Sequence, residues 1–157
     1  MQIDLFCIGK QDRQFLSLVE FYKQRIQYHA KLNIYELEVK NIKDEVKRNQ
    51  IENQKMIELI KKRQKVKQMH LWACDPKGQP FSSEQMASEL SKRKDVGQAL
   101  GFLIGGSKGL SPSTLEMCSQ KLSFSKMTFP HQLFRVMLLE QVYRSLAIIE
   151  GIPYHKV

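Results

Sequence analysis

Apolar and polar positions follow two different spacings along this chain. Gln2–Ile8 is a short apolar run stopped by Gly9, which reads as a strand. Across Arg13–Tyr28 the residues Phe15, Leu18, Val19, Tyr22 and Ile26 recur on one stripe, as in a helix. Ile34–Val39 sets Ile34, Tyr35, Leu37 and Val39 among acids and reads as a second strand. Asp44–Lys67 is highly charged, yet Val46, Met56, Ile57, Leu59 and Ile60 mark a long, partly exposed helix. His70–Asp75 is an apolar strand closed by the turn signal Asp75-Pro76-Lys77-Gly78. Ser82 or Ser83 is placed to cap a helix running to about Arg93, with Met86, Ala87 and Leu90 inward. Ala99–Ile104 is the most apolar strand and ends at Gly105-Gly106. Ser111-Pro112 then supplies an N-cap and a first-turn proline for a short helix. Leu122–Phe129 is the fifth strand, stopped by Pro130. Gln132–Ile149 is a strongly apolar helix, and residues 150–157 form a tail.

Five strands alternating with helices predict an α/β layer fold with a mainly parallel sheet. The chain has 157 residues, with no internal repeat, linker or second core, so one domain spanning 1–157 is expected. A chain of this length buries enough surface for a core that needs neither metal nor disulfide. The three cysteines, Cys7, Cys74 and Cys118, are odd in number and far apart, which excludes a disulfide framework or a zinc ribbon. The four histidines lack metal-ligand spacing, so no metal is expected. No apolar run reaches the roughly 18 residues of a membrane span, and the first ten residues lack signal-peptide character, so a cytoplasmic protein is expected.

Charge changes the picture. Lys and Arg number 25 against 16 acids, a net +9, which points to a polyanionic partner and to nucleic acid first. Residues 43–67 carry nine of the basic residues and four acids, so more than half of the excess lies there. Pairs such as Glu58–Lys62 would make this an ordinary solvated helix face. The run Lys61-Lys62-Arg63-x-Lys65-x-Lys67 is too unbalanced for pairing alone and reads equally well as a phosphate-contacting surface.

Ligands in open α/β sheets bind beyond the carboxyl ends of strands. Three such ends stand out: Cys74-Asp75, Gly105-Gly106 and the segment approaching Pro130. The loop Gly105-Gly106-Ser107-Lys108-Gly109 matches neither a dinucleotide fingerprint nor a phosphate loop, and on spacing alone a structural turn explains it equally well. His131, near the start of the last helix, is either a base or a packing histidine. The absence of G-x-S-x-G and the scarcity of acids after Asp95 exclude serine-hydrolase and paired-carboxylate chemistry.

Two stretches, FLIGGSKGLSP and LSFSKMTFPHQLFRVMLLEQVYRSLAIIEGIPYHK, together resemble the RlmH family. The likeness is dense from Leu71 to Lys156 and looser toward the N-terminus, where IDLFCIGK resembles the family's opening strand. These are small bacterial enzymes that methylate ring N3 of a pseudouridine in large-subunit ribosomal RNA. The resemblance implies a SPOUT-type sheet with helices on both faces and a C-terminal trefoil knot. It implies a homodimer packed through the last helix, S-adenosylmethionine as cofactor and ribosomal RNA within the ribosome as substrate. It carries the cofactor contacts onto Cys74, Gly105, Phe124, Ser125, Lys126, Met127, Thr128 and Phe129, with Cys74 standing where many relatives have an aliphatic residue. It also puts the tail near the active site. Tyr154 and His155 are therefore candidates for handling the N3 proton, with Arg135 as an electrostatic or phosphate-binding group. Two rivals stand beside it: a non-catalytic RNA-binding assembly factor and a nucleotide-binding enzyme on a doubly wound sheet.

Overall fold

A computed structural model describes residues 1–156. Ten elements alternate in chain order: β1 (Gln2–Ile8), α1 (Leu16–Gln27), β2 (Lys31–Leu37), α2 (Glu45–Gln64), β3 (Met69–Pro80), α3 (Ser83–Asp95), β4 (Ala99–Ile104), α4 (Pro112–Glu116), β5 (Gln120–Ser123) and α5 (His131–Ile149). The strands form one five-stranded sheet in the order β2-β1-β4-β3-β5, and every pairing is parallel. β4 takes the centre and all six of its residues are buried, which is why its sequence is continuously apolar rather than alternating.

The pleat of β1 sorts the core into two layers. Ile3, Leu5 and Cys7 join Val19, Ile26, Leu90, Leu139 and Leu146 on the face covered by α1, α3 and α5. Phe6 and Ile8 join Met56 and Ile60 of α2 on the other face, where Met117 and Cys118 after α4 close the edge. Helices therefore cover both faces, as expected. Caps fix where helices begin. Asp44 accepts from Lys47 N ahead of α2, Ser82 and Gln85 form a reciprocal capping box ahead of α3, and Ser111 accepts from Thr114 N ahead of α4.

Boundaries differ from the sequence reading at four places, each for a physical reason. Arg13–Phe15 is a 3-10 turn, and the α-helix starts only at Leu16. β2 begins at Lys31, because the chain turns at residues 28–30 and Lys31 N donates to Met1 O, setting the Gln2↔Lys31 register. β3 does not stop at Asp75; it runs to Pro80 through an irregularity between Cys74 and Gln79, a setting in which a strand accommodates Pro76 and Gly78. β5 ends at Ser123 instead of reaching Phe129. There the Ser123 hydroxyl donates to Ser125 O (2.9 Å) and Pro76 O (3.1 Å), and Ser125 Oγ accepts from Met127 N (3.0 Å). These side-chain bonds replace the ladder and turn Phe124–Phe129 into a loop.

Because the sheet is parallel, the ends of β1, β4, β3 and β5 share one edge. The C-terminus of α2 lies at the opposite edge, where Lys67 and Gln68 lead into β3.

Candidate active site

A cleft of about 210 Å³ opens at the carboxyl edge of the sheet. Its walls come from Cys74-Asp75-Pro76 of β3, the loop Gly105–Gly109 after β4, Leu122–Ser125 around the end of β5, Met127–Phe129, and His131 and Phe134 at the start of α5. The structure thus brings together Cys74, Gly105, Phe124, Ser125, Met127, Thr128 and Phe129. Lys126 alone of the expected cofactor residues is absent from the lining. It sits in the same loop, between two residues that do line it.

The glycine loop folds back on itself. Gly109 N donates to Gly106 O at 2.9 Å, and the two residues form an isolated antiparallel bridge. A Cβ at Gly105 would lie 2.6 Å from the Gly109 carbonyl carbon, so only glycine permits this closure. Gly105→Ala is expected to cost about 1–3 kcal/mol of stability and to lower cofactor affinity at least tenfold, read by thermal unfolding and calorimetry. Gly109 has φ +73 with open space around it, so alanine there should show only backbone strain.

Aromatic and thioether groups supply the rest of the surface. Phe124 and Phe134 meet at 4.8 Å, and Met127 stands 70% exposed at the rim. No lysine or arginine lines the cleft. Cys74 sits in the wall, and burial pushes its thiol well above the ordinary cysteine range. Burial first, and then the Arg135 guanidinium, lowers His131, so its ring is neutral at pH 7. His131 is the first residue of α5, and the position of Gly9 Cβ would lie 3.7 Å from its Nε2.

Tyr154 and His155 lie elsewhere on the chain: neither lines this cleft. They gather against α5 and α3. Tyr154 OH donates to Glu140 Oε1 (3.1 Å), and its ring meets Tyr143 at 4.7 Å. Burial, with Tyr22 and Glu140 nearby, raises the Tyr154 phenol, which stays protonated and acts as a donor. His155 Nε2 lies 2.6 Å from Glu84 Oε1, and Nδ1 lies 3.2 Å from Arg144 Nη1. Hydrogen bonds from Ser82 and the backbone of Glu84, together with His155, hold the Glu84 carboxyl at about 2. An ionised Glu84 and a donating Arg144 fix the ring with its proton on Nε2 and its lone pair on Nδ1. Arg144 is itself gripped by Glu140 through Nε (3.0 Å) and Nη2. Sequence reading missed Glu140 and Arg144. They are four apart on one helix and carry no motif of their own; only the returning tail gives them partners. This cluster borders a groove lined by Tyr22, Phe81, Met86, Val136, Met137 and Glu140, which shares Phe124 with the cleft.

Arg135, expected as an electrostatic or phosphate-binding group, is held inside the chain. It is 1% exposed, donates from Nη2 to Gly9 O (2.9 Å) and pairs with Glu36 through Nη1. Its guanidinium is engaged inside the chain and presents no face to a phosphate. Arg63 is likewise turned in, with Nε 3.5 Å from the buried Asp4 and its guanidinium over the Tyr35 ring. Among the described residues no three His, Cys, Asp or Glu side chains gather as a metal site, and no helix is long and apolar enough to cross a membrane.

The five-stranded parallel sheet with helices on both faces matches the fold of solved structures described as a methyltransferase and a probable methylase. The SpoU methyltransferase AviRb from Streptomyces viridochromogenes, solved in complex with AdoMet, aligns at TM-score 0.51 and 12% identity over 92% of this chain and 57% of that one. A probable methylase family protein from Haemophilus influenzae Rd KW20 aligns at TM-score 0.57 and 8% identity over 99% and 70%. At these identities the match shows the fold. The chain belongs to the SPOUT methyltransferase family: the family model described as "Predicted SPOUT methyltransferase" matches residues 1–155. Relatives named "Ribosomal RNA large subunit methyltransferase H" extend the match over both chains. The protein from Clostridium acetobutylicum is 43% identical over 167 residues, and that from Mycoplasma mobile 39% over 156, each covering 99% of this chain and 100% of the relative.

Proposed function

We propose that this protein methylates large-subunit ribosomal RNA with S-adenosylmethionine, at ring N3 of a pseudouridine. The observation that carries this reading is the cleft itself. A cofactor bearing a sulfonium cation suits walls made of glycine backbone, aromatic faces and a methionine rim, with Asp75 as the one carboxylate and no lysine or arginine. A polyphosphate nucleotide would need the reverse, so the same lining argues against the nucleotide-binding rival. The cleft is smaller than the roughly 300–1,000 Å³ of pockets that enclose a drug-sized ligand.

Cys74, Gly105, Phe124, Ser125, Met127, Thr128 and Phe129 are the residues that would hold the cofactor, with Lys126 at the outer side of the same loop. When bound, the cofactor supplies the methyl group on a sulfonium leaving group. The protein positions the acceptor and removes the proton of ring N3. His155, with Nε2 held by Glu84 and Nδ1 beside Arg144, is the residue that takes that proton. Tyr154, held protonated, donates to the developing anion. Glu140 and Arg144 position both. Arg135 acts through the fold, tying α5 to the end of β1.

Tail cluster and cleft are separate within one chain, which supports a homodimer in which the tail serves the partner's cleft. The apolar groove along α5, together with the exposed Leu18 and Phe21 of α1, supplies the surface for such a pairing. The same reading takes residues 1–157 as one cytoplasmic domain, with the glycine and Phe124–Phe129 loops threaded as a trefoil knot.

Calorimetry with S-adenosylmethionine, followed by mass spectrometry of ribosomal RNA from a strain lacking the protein, tests this. Saturable binding and the loss of one methyl group are expected. No binding with intact ribosomes present, and an unchanged RNA mass, would leave the assembly-factor rival standing.

A further inference from the structure

Asn53 stands out on α2. It lies on the buried stripe that continues through Met56 and Ile60, and it is 1% exposed. A position that only packs would be apolar, because an amide in the core carries a desolvation cost unless its hydrogen bonds are met. Here they are met, and the partners of Oδ1 are distant in sequence. Oδ1 accepts from Ser111 N at 2.8 Å and from Thr114 Oγ1 at 2.9 Å. Nδ2 donates to Asn49 O at 2.9 Å and reaches Gly109 O at 3.5 Å. Thr114 is itself fully buried.

Those partners bracket the back of the glycine loop. Gly109 ends the wall of the cleft, Ser111 is the N-cap of α4, and Thr114 lies in its first turn. A second, exposed tie to α2 is the ion pair of Lys108 Nζ with Glu45 Oε2 at 3.3 Å. Gly106 faces Ile8 and Glu52, and a Cβ there would lie 2.9 Å from Ile8 Cγ2 and 3.6 Å from Glu52 Oε2. One side of Gly105–Gly109 thus forms the ligand wall and the other rests on α2, with Asn53 as its buried polar anchor.

We infer that Asn53 is a positioning residue for the cofactor cleft: its amide clamps the loop 105–109 and the start of α4 in the geometry that binds the methyl donor. The inference rests on the methyltransferase reading above. It adds a residue from the helix that sequence charge assigns to RNA, acting through its buried face instead of its basic one. A fully satisfied buried network of this kind specifies one loop geometry.

The test is cofactor binding and steady-state kinetics of the full-length protein. Asn53→Leu keeps the branched shape and the number of heavy atoms and removes every hydrogen bond. It should raise the Kd and KM for S-adenosylmethionine about tenfold or more, leave kcat at saturating cofactor within about twofold, and leave ribosome binding unchanged. General destabilisation would instead lower apparent kcat by reducing the folded fraction without moving KM. If Asn53→Leu does not fold, Thr114→Val and Thr114→Ser decide. Valine should raise KM a few fold, and serine, which keeps the hydroxyl, should restore it. A folded Asn53→Leu with wild-type KM, or valine and serine variants that behave alike, would overturn the positioning role. Wild-type protein that binds no cofactor would instead overturn the methyltransferase reading on which it rests.

Discussion

Arg135→Ala should destabilise the protein by about 3 kcal/mol, the scale expected when one partner of a buried ion pair is removed. Two groups lose their donor at once. Gly9 O loses the 2.9 Å bond from Nη2, and the Glu36 carboxylate, one-third exposed, loses its charge partner. Glu36 keeps a bond from Gln11 N and some contact with water, which holds the loss near the lower end of the range. Arg135→Lys should recover little of it, because a single ammonium cannot span two acceptors as a planar guanidinium does. Urea unfolding at pH 7 checks the prediction. A variant of wild-type stability with weakened RNA binding would return Arg135 to a phosphate-binding role.

The second large effect belongs to four lysines. Lys61, Lys62, Lys65 and Lys67 are exposed, and none has an acidic partner within salt-bridge distance among the described residues. They end a 20-residue helix, about 30 Å long, at the sheet edge opposite the cleft. Replacing all four with alanine should weaken ribosome binding and reduce the slope of log K against log salt by about 3, as expected for four lost phosphate contacts on a single strand. Cofactor affinity and kcat should stay as they were. Such a result would mean that RNA runs the length of α2. An unchanged slope would confine the footprint to the cleft edge. Arg63 is left out of this set because its contact with Asp4 would mix destabilisation into the result.

Charge counting placed Arg63 with the surface cations, and the family likeness made Arg135 an electrostatic or phosphate-binding group. Both are held by side chains far away in sequence, Asp4 in β1 and Glu36 in β2, and composition carries no trace of such pairings. The layer fold was legible because burial on two faces writes continuous apolar runs such as Ala99–Ile104, and because Ser82, Ser111 and Pro112 mark helix starts locally. The strand limits were less so. Phe124–Phe129 has the residue types of a strand and is a loop because three hydroxyl-mediated bonds displace the ladder. The cleft was legible in its glycines and in the family likeness. Glu140 and Arg144 were not, since their role depends on the tail folding back onto α5.

Cys74 gives the cleft one further property. A thiolate beside an electrophilic methyl group would compete with RNA for it, and the protein would alkylate itself. Burial keeps that sulfur protonated and therefore a poor nucleophile. In the proposed complex the cleft wall at Cys74 is chemically quiet, and turnover is spared a route to self-inactivation.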